Sequence, residues 1–215
     1  MALVLPVAAG LLLAAAAFRS AEYDESYSIF VTGGIARPDW SSAVFTPAEA
    51  AAPFRLHAGP LTTAQLLRST DVHPPLYFWA LGLWRRLAGD GALALRGLSI
   101  LCALGALLAW MVAAWRAGLP PLVVGLVTAL AYGFAYTGQI ARGFALAHLM
   151  IALCALAALA AWRRERGGRR ATGLAALAGL AGGLAAFTNY LAVFPAAAVL
   201  AWLAFAPPTW PARLR

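Results

Sequence analysis

Six apolar runs, residues 2–18, 97–115, 119–137, 143–162, 171–188 and 190–205, set the terms on which this chain can fold. Each approaches the roughly 20 helical residues that a hydrocarbon core requires, and in lipid a helix satisfies its backbone polar groups within its own segment. With 63% hydrophobic and 11% charged residues, too little polar surface remains to clothe an ordinary soluble domain of 215 residues. The expectation is an all-α, polytopic transmembrane helix bundle of about six spans, a single domain over 1–215. A cleaved signal peptide is the other reading of the first run, because its "AAAA" resembles a cleavage region. Against that reading, "MALVLP" has no basic residue and five further runs follow.

Charge gives the orientation. All 16 basic residues are arginine, against 8 acids. The clusters, "RRERGGRR" at 163–170, Arg116 and the "PARLR" tail, read as cytoplasmic flanks of spans and make no case for a nucleic-acid partner. They share one side only if "PPLYFWALGLW", residues 74–84, does not cross. That run breaks at Arg85 and Arg86 after about ten residues, roughly 15 Å of helix and half the hydrocarbon thickness. The N-terminus is therefore expected in the cytoplasm, with residues 19–96 forming a long first external loop that contains juxtamembrane helices.

Within the loop, Pro75 suits the first turn of an interfacial helix whose Tyr77, Phe78, Trp79 and Trp84 suit the headgroup region. "TPAEAAAPF" carries a capping box, Thr46 with Glu49, around Pro47, and "TTAQLLRS" reads as a short amphipathic helix. Cys102 and Cys154 fall inside apolar runs and are expected as packing thiols without a disulfide. "GLAGG" at 179–183 is a candidate face for close helix packing.

Four polar spots break the apolar pattern. Asp24 and Glu25 stand just outside the first span, where adjacent carboxylates suit a general base or a divalent-cation ligand, and equally a hydrated stop to the helix. In "DVHPP" the two prolines present Asp71 and His73 from an extended segment; a solvated loop histidine is the plainer reading. Arg142 lies between the third and fourth spans on the external side, with Gln139 and Tyr136 nearby. A permanently charged guanidinium there suits bidentate binding of a phosphate, with snorkelling as the structural alternative. Asn189 and Tyr190 mark the external turn between spans five and six. His148, inside the fourth span, is expected to be a hydrogen-bonded packing residue.

An acidic "DE-x-Y" after the first span, then "DVHPPLYFW", "LAGDGALALRGLSIL" and "GQIARGFAL", together resemble the GT-C superfamily of integral-membrane glycosyltransferases, the protein O-mannosyltransferase and aminoarabinose-transferase type. The resemblance runs from about Phe18 to Phe194. It implies a GT-C-like fold and transfer of a sugar from a polyprenyl-phosphate donor to a glycan, lipid or protein acceptor at the external membrane face. Asp24 would be the general base, with Glu25 its partner or a cation ligand. Arg142 would steady the departing phosphate, His73 would order donor or loop, and Asp71 would orient His73. Tyr77, Gln139, Asn189 and Tyr190 would support them.

No cofactor is required by the resemblance; a divalent cation on Asp24 and Glu25 is the one it leaves room for, although no DxD sequence is present. The family usually has further spans and often an external C-terminal domain, so the chain is expected to correspond to an N-terminal part, in a bacterial inner or plasma membrane. A non-catalytic scaffold related to the family, or a transporter or flippase, are the competing classes.

Topology is directly testable. Thr137→Cys should react with a membrane-impermeant maleimide from the outside, and Arg170→Cys only after the cytoplasmic side is opened. Labelling of position 137 from the cytoplasm alone would overturn the orientation.

Overall fold

The computed structural model describes residues 3–37, 44–70 and 73–206. Asp39, Asp71 and the "PARLR" tail lie outside the described residues. Those residues form eleven α-helices and contain no strand: α1 Val4–Phe18, α2 Tyr23–Gly33, α3 Pro47–Ala51, α4 Pro60–Thr70, α5 Leu76–Ala88, α6 Ala92–Ala117, α7 Pro121–Leu130, α8 Tyr132–Gly138, α9 Phe144–Arg166, α10 Thr172–Ala186 and α11 Val193–Phe205.

Two of these, α6 and α9, are long and apolar enough to cross a membrane, with mean hydropathies of 2.1 and 2.3 over their best windows. At 26 and 23 residues they are about 39 and 35 Å long. Two further pairs meet the same test jointly but are sharply bent, α1 with α2 by 86° and α7 with α8 by 67°. Among the described residues, the helices long and apolar enough to cross a membrane thus number two, or up to four if each bent pair is one span. The runs expected at 171–188 and 190–205 become shorter apolar helices; the 15 residues of α10 extend about 22 Å.

The run expected as one helix over 119–137 is broken at Ala131, whose ψ of 125° is extended. No proline marks the break, so local sequence did not announce it. Its consequence is tertiary: Phe134 enters the core with α1 and α6, while Tyr136 turns toward Glu22.

The core is built on small residues. Val4, Ala8, Leu12 and Ala16 recur every fourth position of α1 and pack on Ile100, Cys102, Ala103, Leu107 and Met111 of α6. α6 and α10 both lie along α9, where Cys154, Ala158 and Ala178 are fully buried. Both cysteines are free and buried, as expected. Of the glycines in "GLAGG", Gly182 makes the close approach: a Cβ there would sit 3.2 Å from Leu200 Cδ1, whereas Gly179 and Gly183 face open space. The expectation for those two is corrected. His148 is a packing residue, accepting from Trp110 Nε1 at 3.0 Å.

The segment between α1 and α6 follows the sequence closely, with one exception. α3 opens on Thr46, whose hydroxyl accepts from Glu49 N–H while Glu49 Oε2 accepts from Thr46 N–H at 2.7 Å. The Thr46 N–H and hydroxyl, both donating to Oε2, hold the exposed Glu49 carboxyl below its usual range. The "TTAQLLRS" segment lies inside α4, and "LYFWALGLW" opens α5 directly after Pro75. The exception is α2, a helix inside the stretch expected as external loop. Asp24 and Glu25 stand in its first turn, where acids complement the helix dipole.

Two buried arginines hold this segment to the bundle. Arg96, at the start of α6, donates from Nε and Nη2 to the two carboxylate oxygens of Glu25 at 2.8 and 2.6 Å. It also donates to the carbonyls of Ala16, Arg19 and Ser20, which the end of α1 leaves without helical partners. The 86° bend between α1 and α2 is thereby wrapped around one guanidinium. Arg85 of α5, 1% exposed, donates to Asp90 Oδ1, Ile29 O, Thr32 Oγ1 and Phe54 O. Asp90 in turn lies 3.1 Å from His57 Nε2. Both arginines owe their positions to partners more than 30 residues away in most of these bonds.

Removing one member of a buried, hydrogen-bonded ion pair strands the other charge. Arg96→Met should therefore cost about 3–5 kcal/mol of stability, read as a large loss of thermal midpoint in detergent. A variant as stable as wild type would show that the bend does not depend on this pair.

Candidate functional site

The Glu25–Arg96 pair reaches a third element. Glu25 Oε1 also accepts the backbone N–H of Ala141 at 2.9 Å, which fixes the turn between α8 and α9 and places Arg142 against α2. Ser99 of α6 continues the connection, donating to Arg142 O at 3.5 Å and contacting Tyr77 Oη at 3.1 Å. Tyr77 is fully buried, and burial pushes its phenol well above its usual pKa. Its role is support beneath the turn.

Arg142 is the anomaly of this region. Its residue is 6% exposed, and neither Nε nor Nη1 has a hydrogen-bond partner. The nearest anion is Asp24, whose Oδ2 lies 3.7 Å from Nε, too long for a hydrogen bond. The guanidinium carbon also sits 5.6 Å from the Tyr27 ring centroid. Buried polar groups are normally satisfied, and a charged donor left open is costly. Arg142 is thus built like Arg96 in burial and unlike it in partners. Gln139, also buried and just past the end of α8, leaves its Oε1 without a partner.

Asp24 contrasts with Glu25. Its side chain is 47% exposed, against 5% for Glu25. Adjacent residues on a helix point about 100° apart, so the two carboxylates part company at once. The expectation that Glu25 stands beside Asp24 as partner or cation ligand is corrected by this geometry: Glu25 is occupied by Arg96 and Ala141. Among the described residues no group of three or more His, Cys, Asp or Glu is placed to hold a metal ion.

The other expected residues gather at the same end of the bundle. His73 precedes the buried Pro74 and α5, and is half-buried. A Cβ on Gly143 would lie 3.3 Å from both Tyr77 Cβ and Thr188 O, so the α5 start, the Arg142 turn and the end of α10 meet closely there. Trp79 and Phe187 are 5.8 Å apart across the same junction. Asn189 is structural, its Oδ1 accepting from Leu191 N–H at 3.0 Å to cap a 3-10 turn, and Tyr190 is exposed. Asp71 lies outside the described residues.

Next to Asp24, a pocket of about 170 Å³ is lined by Tyr23, Ser26, Tyr27, Phe30, Arg37 and Phe54. Arg37 stands over the Tyr23 ring at 4.6 Å. Beyond it, Glu22 binds Arg19 and accepts from Tyr136 Oη at 2.9 Å, closing the site on the α8 side.

Sequence reasoning missed Arg96, Arg85, Ser99 and Tyr27. Arg96 carried a usable signal: a charge one turn into α6 must find a buried partner, and Glu22, Asp24 and Glu25 all follow the first apolar run within two turns, although nothing local singles out Glu25 among them. Ser99 and Tyr27 carried none. No protein-family model, curated protein or solved structure matches the chain.

An open buried charge predicts an asymmetry between the two arginines. Arg142→Met should leave stability within about 1 kcal/mol of wild type, or raise it, because two buried donors without acceptors are removed and the Asp24 carboxylate it leaves behind is half-exposed. A loss as large as that of Arg96→Met would mean that Arg142 is a structural residue.

Proposed function

We propose that this chain is a membrane glycosyltransferase that moves a sugar from a polyprenyl-phosphate donor to a hydroxyl or amine acceptor at the external membrane face. One observation carries the reading: a buried guanidinium with two unpartnered nitrogens, Arg142, next to a half-exposed carboxylate, Asp24, at 3.7 Å. Hydrogen-bond acceptors are what Nε and Nη1 of Arg142 lack, and a base is what an incoming nucleophile needs.

In this mechanism Asp24 accepts the proton of the acceptor group as it attacks the anomeric carbon. The bond from that carbon to the phosphate oxygen breaks with inversion, and its electron pair leaves with the polyprenyl phosphate. Arg142 stabilises the growing negative charge, where a preorganised, desolvated donor has most effect. Glu25 and Arg96 act as positioning residues, holding α2 and the Arg142 turn at fixed separation. His73 and Asp71 keep the donor-ordering role implied by the resemblance, and the aromatic pocket beside Asp24 offers a place for the acceptor. Six crossings with a cytoplasmic N-terminus would put the site at the external lip, where a lipid-borne sugar is presented.

The test is transfer from radiolabelled polyprenyl-phosphate sugars into lipid, glycan and protein fractions of membranes carrying the full chain. Asp24→Asn should lower the rate by about 10²–10⁴ and Arg142→Gln by about 10²–10³. Absence of transfer from the folded wild type across the donor panel, or activity untouched by Asp24→Asn, would overturn the proposal.

A further inference from the structure

A second polar cavity lies at the opposite end of the bundle. It occupies about 630 Å³ between the ends of α6 and α9 and the start of α10, lined by Trp115, Arg116, Ala160, Arg163, Arg164 and Leu174. From Arg142 to Arg163 the chain climbs almost the whole of α9, about 30 Å. The groove is therefore distinct from the Asp24–Arg142 region.

Its chemistry is one-sided. Arg116, Arg163 and Arg164 are exposed, and none of their guanidinium groups forms a hydrogen bond or ion pair with another described residue. Glu165, the lone acid nearby, pairs with none of them. Trp115, 65% exposed, stands at the end of an apolar helix, the position an interfacial tryptophan occupies. Ala160 and Leu174 give the groove an apolar wall between three positive side chains. Arg166 is held separately, stacked over Trp162 at 4.8 Å.

We infer that this groove binds the phosphate headgroup of an anionic phospholipid, with Arg116, Arg163 and Arg164 as donors and Trp115 beside the glycerol and upper acyl chains. Three guanidiniums converge where α6 and α9 leave the apolar layer, and a basic pocket between membrane helices at headgroup depth selects an anionic lipid over a zwitterionic one. The apolar wall requires a ligand with tails; a free phosphate would leave it unused. The inference stands on the membrane setting alone and is independent of the glycosyl-transfer proposal.

The purified full chain in detergent would be titrated with phosphatidylglycerol, phosphatidylcholine and inorganic phosphate, with bound lipid counted by native mass spectrometry. Phosphatidylglycerol should bind about tenfold or more tightly than phosphatidylcholine. Arg116→Gln with Arg163→Gln should weaken it by about tenfold, and the charge-matched pair Arg169→Gln with Arg170→Gln by less than about threefold. These arginines are exposed, so folding should survive in both variants. Equal retention of the two lipids, equal losses in the two variants, or full displacement by an equal concentration of inorganic phosphate would each overturn the inference.

Discussion

The contact on which the rest of this structure depends is the bidentate pair of Arg96 with Glu25. Both side chains are nearly removed from solvent, at 3% and 5% exposure, where an unpaired charge would be prohibitive. The pair is tolerated because every side of it is used. Arg96 takes the carbonyls left open at the end of α1, and Glu25 takes the N–H of Ala141. One ion pair therefore sets the α1–α2 bend, the approach of α6 and the position of the α8–α9 turn. Arg85 does the same one layer out, tying α2, the segment around Phe54 and Asp90 to α5.

Against that background Arg142 stands out by what it lacks. Among the described residues two buried arginines, Arg85 and Arg96, have an acceptor at every guanidinium nitrogen, whereas Arg142 has two open nitrogens and a carboxylate at 3.7 Å. The backbone on either side of that side chain is fixed, by Glu25 at the N–H of Ala141 and by Ser99 at the carbonyl of Arg142. Polar groups kept open in this way are commonly reserved for a ligand. The two ends of the bundle thus differ in kind. One combines an enclosed cation with an acid beside it, and the other gathers exposed cations around an apolar wall.

Much of the architecture was legible residue by residue. The capping box of Thr46 and Glu49, the Pro75 start of α5, the amphipathic α4 and the buried lone cysteines follow from local rules that need no distant partner. Asp24 and Arg142 could be picked out because charges beside apolar runs are conspicuous. Their separate environments could not, since Glu25 looks identical to Asp24 until the helix phase of α2 and the reach of Arg96 are known. The break at Ala131 was equally hidden, with neither proline nor glycine at the residue itself to mark it.

The sequence by itself determined an all-helical chain rich in apolar runs, with its acids concentrated between the first two long runs and its densest arginine cluster, at 163–170, between two of the later ones. Those features are local, because periodicity, hydropathy and capping act over a turn or two. Only the tertiary structure decided which charges became structural and which stayed open. That choice depends on partners 71 and 116 positions apart in the chain, Arg96 and Ala141 on Glu25, and burial makes such pairings decisive by raising the cost of every group left without one.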